Sequence, residues 1–254
     1  MDEETAFVDL FWLPLGAGGR SVRLNGRVFE AVAARLEQRP ARDLYHSALV
    51  VDVPEGTYVI EQAPVRDANG RQRGVVAEGA VGRRWARPLR IFRYEIRCWR
   101  DGVIPDVGEA VASPQRLTDD PVLARRVLEL VHTVPTPVWA RDELEAGEMW
   151  NSNSVISWLL ARSAIGVETA RLPTGGRAPG WDAGIVVARH QAASAAGLAL
   201  GLEHALLEGV SDELGPCGDP QLLHDVRAVG LGRADGDVEP ARDLLVRVPK
   251  GEQA

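Results

Sequence analysis

In its first half the chain alternates apolar and polar residues or runs them in short apolar blocks, which predicts strands. Residues 6–15 read as a buried first strand, and Gly16 to Gly19 as a turn. Residues 43–53 read as a strand and residues 57–62 as its return, joined through Pro54-Glu55-Gly56. Residues 74–77 and 89–99 supply two further strand-like runs, set apart by an Arg/Gly/Asp-rich connection over 66–88 and closed by a turn at Arg100-Asp101-Gly102. The strand-like run carries Arg93 and Arg97, read as a solvated strand face.

Helical spacing appears elsewhere. Asn25 suits a cap for a helix over 26–38, with Val28, Phe29, Val32 and Leu36 on one face and Pro40 at its end. Asp120-Pro121 opens a helix reaching about Thr133, because proline at the first helical position is already set to the helical φ. Its buried stripe is Leu123, Val127, Leu130 and Val131, with His132 in the last turn. A third helix starts at Asn151-Ser152, presents Val155, Ile156, Leu159 and Leu160, and is expected to stop at Gly166. Residues 172–180 read as a loop. Periodicity leaves 181–187 open between strand and helix. Residues 192–207 form a small-residue helix in which Gly197 and Gly201 would permit close packing. Residues 211–254 read as a tail or small subdomain.

Composition adds bounds. The chain has 254 residues, 45% apolar and 26% charged, which is ordinary for a globular protein. The net charge of −7 argues against nucleic acid as a partner, since such proteins present a basic face. Cys98 and Cys217 are too few for a disulfide framework. The Met-Asp-Glu-Glu start has neither a basic region nor an apolar stretch, so the expectation is a cytoplasmic protein. Arg189, His190, Glu203 and His204 rule out a membrane span in the last helix. His190 and His204 lack the spacing of a helical metal pair, so neither metal nor cofactor is expected. The glycine turn lacks the Gly-Lys-Ser/Thr end of a phosphate loop.

The chemistry concentrates at Asn151-Ser152-Asn153-Ser154, where a helix start points free N–H groups and a positive dipole end outward. Upstream, His46 begins the strand over 43–53. If Pro54-Glu55-Gly56 is a three-residue loop, Gln62 lies diagonally beside His46 on one face. A register shift of one would put Glu61 there instead. A histidine strand followed by a helix opening Asn-x-Asn resembles the circularly permuted papain-like families, the NlpC-related, LRAT-like and PPPDE-like groups. Asn151-Ser152-Asn153 stands where those families carry an Asn-Cys-Asn type motif, as in an uncharacterised bacterial branch with Asn-Ser-Asn. The resemblance spans roughly residues 44–165.

The resemblance implies an α+β fold with an antiparallel sheet packed on the central helix, in circularly permuted papain-like order. Residues 1–170 would form that domain, and 171–254 a helical C-terminal extension and tail packed on it. It implies a hydrolase or acyltransferase acting on an amide, thioester or ester, with Ser152 as nucleophile, His46 as base and Gln62 or Glu61 as orienter. Asn151, Asn153 and Trp150 would meet a small-molecule, peptide or lipid substrate. Serine gains little from a helix N-terminus, which activates a thiol. The alternative is therefore a catalytically inactive papain-like fold that acts as a binding or interaction module. A third reading has both motifs as ordinary capping and strand features. The oligomeric state is not fixed by the sequence.

Overall fold

The computed structural model describes residues 5–15, 30–65 and 74–207, with side chains to residue 198. The chain divides into two units, Met1–Leu198 and Ala199–Ala254. The first unit carries every side chain described below.

The architecture is α+β, with one six-stranded antiparallel sheet. The strands are β1 (Phe7–Pro14), β2 (Tyr45–Val53), β3 (Gly56–Pro64), β4 (Val75–Ala80), β5 (Arg93–Arg100) and β6 (Gln115–Thr118). Their spatial order is β4-β5-β3-β2-β1-β6. The described helices are α1 (residues 30–36), α2 (Pro121–Leu130), α3 (Ser152–Arg162) and α4 (Trp181–Leu207). Short 3-10 turns punctuate the loops.

Strand alternation divides the apolar residues between the two sheet faces. Val8, Leu10 and Trp12 of β1, Leu49 and Val51 of β2, Ile60 of β3 and Ile96 of β5 join one core, which α2 and α3 complete. The opposite face buries a smaller cluster of Leu13, Ala48, Val59 and Ile104. Nine consecutive residues of α3, Ser152 to Leu160, are buried. A helix covered all round must pair its polar side chains, and Asn153, Ser154 and Ser157 each donate to a backbone carbonyl.

Several details depart from the sequence reading. The β2–β3 hairpin turns on Pro54 and Glu55 alone, with Val53 opposite Gly56. The run over 89–99 is strand only from Arg93 onward, because residues 90–92 form a 3-10 turn. Arg97 is buried, not solvated, because Glu61 and Glu95 close on its guanidinium at 2.5 Å. In α1, Glu30 and Ala34 face inward and Val32 and Leu36 face out. Glu30 is pinned by Arg39 and Arg177 and accepts from the Arg42 N–H at 2.8 Å, which fixes the helix rotation. Val28, Phe29 and the glycine turn lie outside the described residues, as do Cys217 and the tail over 211–254.

Helix α2 starts as its sequence indicates. Asp120 caps it, accepting from the Val122 and Leu123 N–H groups at 2.7 and 3.4 Å, and Pro121 is the first helical residue. Helix α3 ends earlier than Gly166. Ser163 turns its hydroxyl back to the Leu159 and Leu160 carbonyls, and Ala164 takes the left-handed conformation at φ 63°. The undecided stretch 181–187 is the first two turns of α4. Close approach in α4 occurs at Gly184. A Cβ there would lie 2.1 Å from both the Ser154 carbonyl oxygen and the Ser157 Oγ. A Cβ on Gly197 would meet nothing within 4 Å, so that glycine serves no close packing in this unit.

Candidate functional site

The Asn-Ser-Asn-Ser cluster begins α3, and its polar atoms can be followed one by one. Asn151 is the N-cap. Its side-chain oxygen accepts from the Asn153 N–H at 2.8 Å, and the Ser154 hydroxyl accepts from the Asn151 N–H at 3.0 Å. The Asn151 amide donates to the Pro179 carbonyl at 2.9 Å. Asn153 donates to two carbonyls, Tyr45 at 2.9 Å and Pro179 at 3.0 Å. Ser154 donates to the Gly180 carbonyl at 2.7 Å, and Ser157 to the Trp181 carbonyl at 2.6 Å. The Gly180 N–H donates in turn to Glu148 at 2.8 Å. Asn151, Asn153, Ser154 and Ser157 thus clamp the segment entering α4. Trp181 lies against Trp12, ring centroids 5.0 Å apart.

Ser152 is the first residue of α3 and is buried. Among the described residues its hydroxyl has no hydrogen-bond partner. The sheet position that meets the helix start is Ser47. Its hydroxyl donates to the Asn153 side-chain oxygen at 2.9 Å. Ser47 shares its face with Tyr45, Leu49 and Val51, the face that packs on α3.

His46 therefore belongs to the other face. β2 is in unbroken register with β1 here, with His46 opposite Leu13 and Ser47 opposite Trp12. Leu13 and Trp12 fall in different clusters, one on each side of the sheet. Burial lowers the His46 pKa to about 4, against a smaller opposing pull from Asp106. The imidazole is neutral at pH 7. The sequence placed His46 and Ser152 at one site, but the structure does not bring them together.

The two-residue hairpin turn also separates Gln62 from His46. Gln62 lies on the face of Tyr58 and Ile60, and Glu61 on the face of Val59 and of His46. Glu61 is committed to Arg97. Carrying the β2–β3 register two residues further sets Gln62 beside Ser47. Gln62 is only 6% exposed, and neither its amide nitrogen nor its oxygen has a partner among the described residues. The indole nitrogens of Trp12 and Trp150 are buried without partners as well. Trp150 is a core residue. Its backbone pairs with Arg141 and Ala140, each at 2.9 Å, and its ring joins the main cluster.

Sequence reasoning missed Ser47 and the Pro179–Trp181 segment. Ser47 differs from His46 by one position, and only the true strand phase against α3 could have chosen between them. The carbonyls at 179–181 carry no side-chain signal. Among the described residues no group of three His, Cys, Asp or Glu side chains could hold a metal ion. No helix of the described residues is long and apolar enough to cross a membrane. Comparison with protein-family models, with curated proteins and with solved structures found no match.

Proposed function

We propose that this chain has a permuted papain-like fold without hydrolytic chemistry and serves as a binding or interaction module. The fold part rests on the order of elements: a histidine-bearing strand comes first, and a buried helix opening Asn-Ser-Asn follows and packs on that strand. The functional part rests on one observation, the Ser47 hydroxyl bonded to Asn153 at 2.9 Å. Ser47, and not His46, is the β2 residue that meets the start of α3. A serine hydroxyl reacts near neutral pH only when a base lies within about 3 Å to take its proton. His46, turned to the other side of the sheet, does not supply that base.

Binding is favoured by Gln62. A buried primary amide with both donor and acceptor unmet costs free energy unless something pairs with it. A peptide bond or another amide offers the complementary acceptor and donor. The test is labelling by a serine-reactive fluorophosphonate, with Ser152→Ala and His46→Ala alongside. The expected result is no Ser152-dependent label in folded protein. Labelling of the natural chain that disappears in both variants would overturn the proposal in favour of a Ser-His hydrolase or acyltransferase.

A further inference from the structure

The connection between β4 and β5 has no counterpart in that reading. Residues 79–94 contain five arginines and no acidic residue, in a chain whose net charge is −7. Two of the five are committed: Arg84 to Glu143 and Arg93 to Glu78, each at 3.1 Å. Arg83, Arg87 and Arg90 are exposed and make no ion pair among the described residues. Between them stand Trp85, Leu89, Ile91 and Phe92, exposed by 76%, 58%, 79% and 41%. Large apolar side chains scattered singly over a surface are ordinary, but four within eight residues form a patch.

The loop is held in shape. Ala86 is buried and tacks it down, while the Ala86, Arg87, Leu89 and Phe92 N–H groups each donate to the carbonyl three residues before. Arg141 bonds the Gly82 carbonyl at 2.5 Å. The apolar side chains are therefore presented by a hydrogen-bonded backbone, with Trp85 and Ile91 76% and 79% exposed. Exposed aromatic and aliphatic residues interleaved along the loop with arginines match a lipid interface. The apolar side chains reach the acyl boundary while the arginines stay at headgroup level. Arg87 also lines a cleft of about 300 Å³ with Glu78, Gly79, Ala80, Thr136 and Val138, which leaves room for a headgroup beside it.

We infer that the β4–β5 loop docks this protein peripherally on an anionic membrane surface, with Trp85, Leu89, Ile91 and Phe92 inserted and Arg83, Arg87 and Arg90 against lipid phosphates or carboxylates. This inference stands apart from whether Ser152 reacts.

The test is sedimentation of the full chain with vesicles of phosphatidylcholine alone, and of phosphatidylcholine with roughly one part in three phosphatidylserine. Two variants accompany it, Trp85→Ala with Ile91→Ser, and Arg87→Glu with Arg90→Glu, all at exposed positions and checked for folding by circular dichroism. The expected result is binding about tenfold stronger to the anionic vesicles, reduced about tenfold by the apolar variant. The charge-reversed variant should abolish the anionic preference, and added salt should weaken it. Three results would overturn the inference: no sedimentation with either vesicle, equal sedimentation with both, or sedimentation unchanged in both variants. So would finding that the patch captures a protein partner while vesicles fail to bind.

Discussion

The Ser47 hydroxyl donates to the Asn153 side-chain oxygen at 2.9 Å, and so β2 is bolted to the first turn of α3. Asn153 completes the joint with donations to Tyr45 and Pro179. All of these groups lie in or near the core, where a lost partner leaves an unsatisfied atom. Asn153→Ala should cost about 2–4 kcal/mol and Ser47→Ala about 1 kcal/mol in urea unfolding. A double-mutant cycle should return a coupling of about 1 kcal/mol, and additive effects would show the bond to be energetically idle.

Gly184 is where α4 crosses α3. Any Cβ would press on the Ser154 carbonyl oxygen and the Ser157 hydroxyl, each at 2.1 Å, and on the Trp158 nitrogen at 2.8 Å. Two of these are backbone atoms and cannot swing aside. Gly184→Ala should destabilise by about 1–3 kcal/mol through overpacking, although alanine has the better helix propensity. Thermal unfolding reads the sign directly, and a gain in stability would contradict the crossing.

The Glu61–Arg97–Glu95 group is an ion triad buried on the sheet. Removing the cation strands two carboxylates. Arg97→Met is expected to cost about 3–5 kcal/mol. Adding Glu61→Gln and Glu95→Gln should recover part of that loss, since neutral amides are cheaper to bury. Equal stability of Arg97→Met and the natural chain would place Arg97 in solvent.

Burial raises the Cys98 thiol to about 11, so almost none is thiolate at pH 7. A thiol at the start of α3 would sit where the helix dipole favours the anion. In a Cys217→Ser background, Ser152→Cys should add an iodoacetamide-reactive group that outpaces Cys98 at pH 7. Alkylation of Cys98 should keep rising toward pH 11, whereas the introduced thiol levels off earlier. No gain in reactivity would show the start of α3 closed to reagents.

The His46 shift also has a stability consequence. Its folded pKa of about 4 lies below the unfolded value near 6.5, so the unfolded chain takes up the proton first as pH falls. Stability should therefore drop between about pH 6.5 and pH 4, by about 2 kcal/mol once partial exposure is allowed for. His46→Gln should flatten that part of the profile. An unchanged slope would assign the acid sensitivity to other groups.

Much of the frame was readable in the sequence because it depends on local chemistry. The Asp120-Pro121 start, the Asn151 cap and the β2–β3 hairpin are each fixed by a few adjacent residues. The site was read less well because it depends on phase. One residue fewer in the turn at Pro54 moved Gln62 to the opposite face from His46. His46 and Ser47 carry equal local promise, and only packing against α3 selects Ser47. Arg97 looked like a surface residue because its partners Glu61 and Glu95 sit on two different strands. The carbonyls of Pro179, Gly180 and Trp181, which absorb the Asn-Ser cluster, leave no trace in composition.

The most direct measurement is the imidazole titration of His46, followed by NMR in the natural chain and in Ser152→Ala, with His46→Gln to assign the signal. A neutral, half-buried imidazole on the far face should titrate with a midpoint near 4 and be indifferent to Ser152. A midpoint at or above the ordinary histidine value of about 6.5 that moves when the Ser152 hydroxyl is removed would contradict the account, because His46 and Ser152 would then share one site.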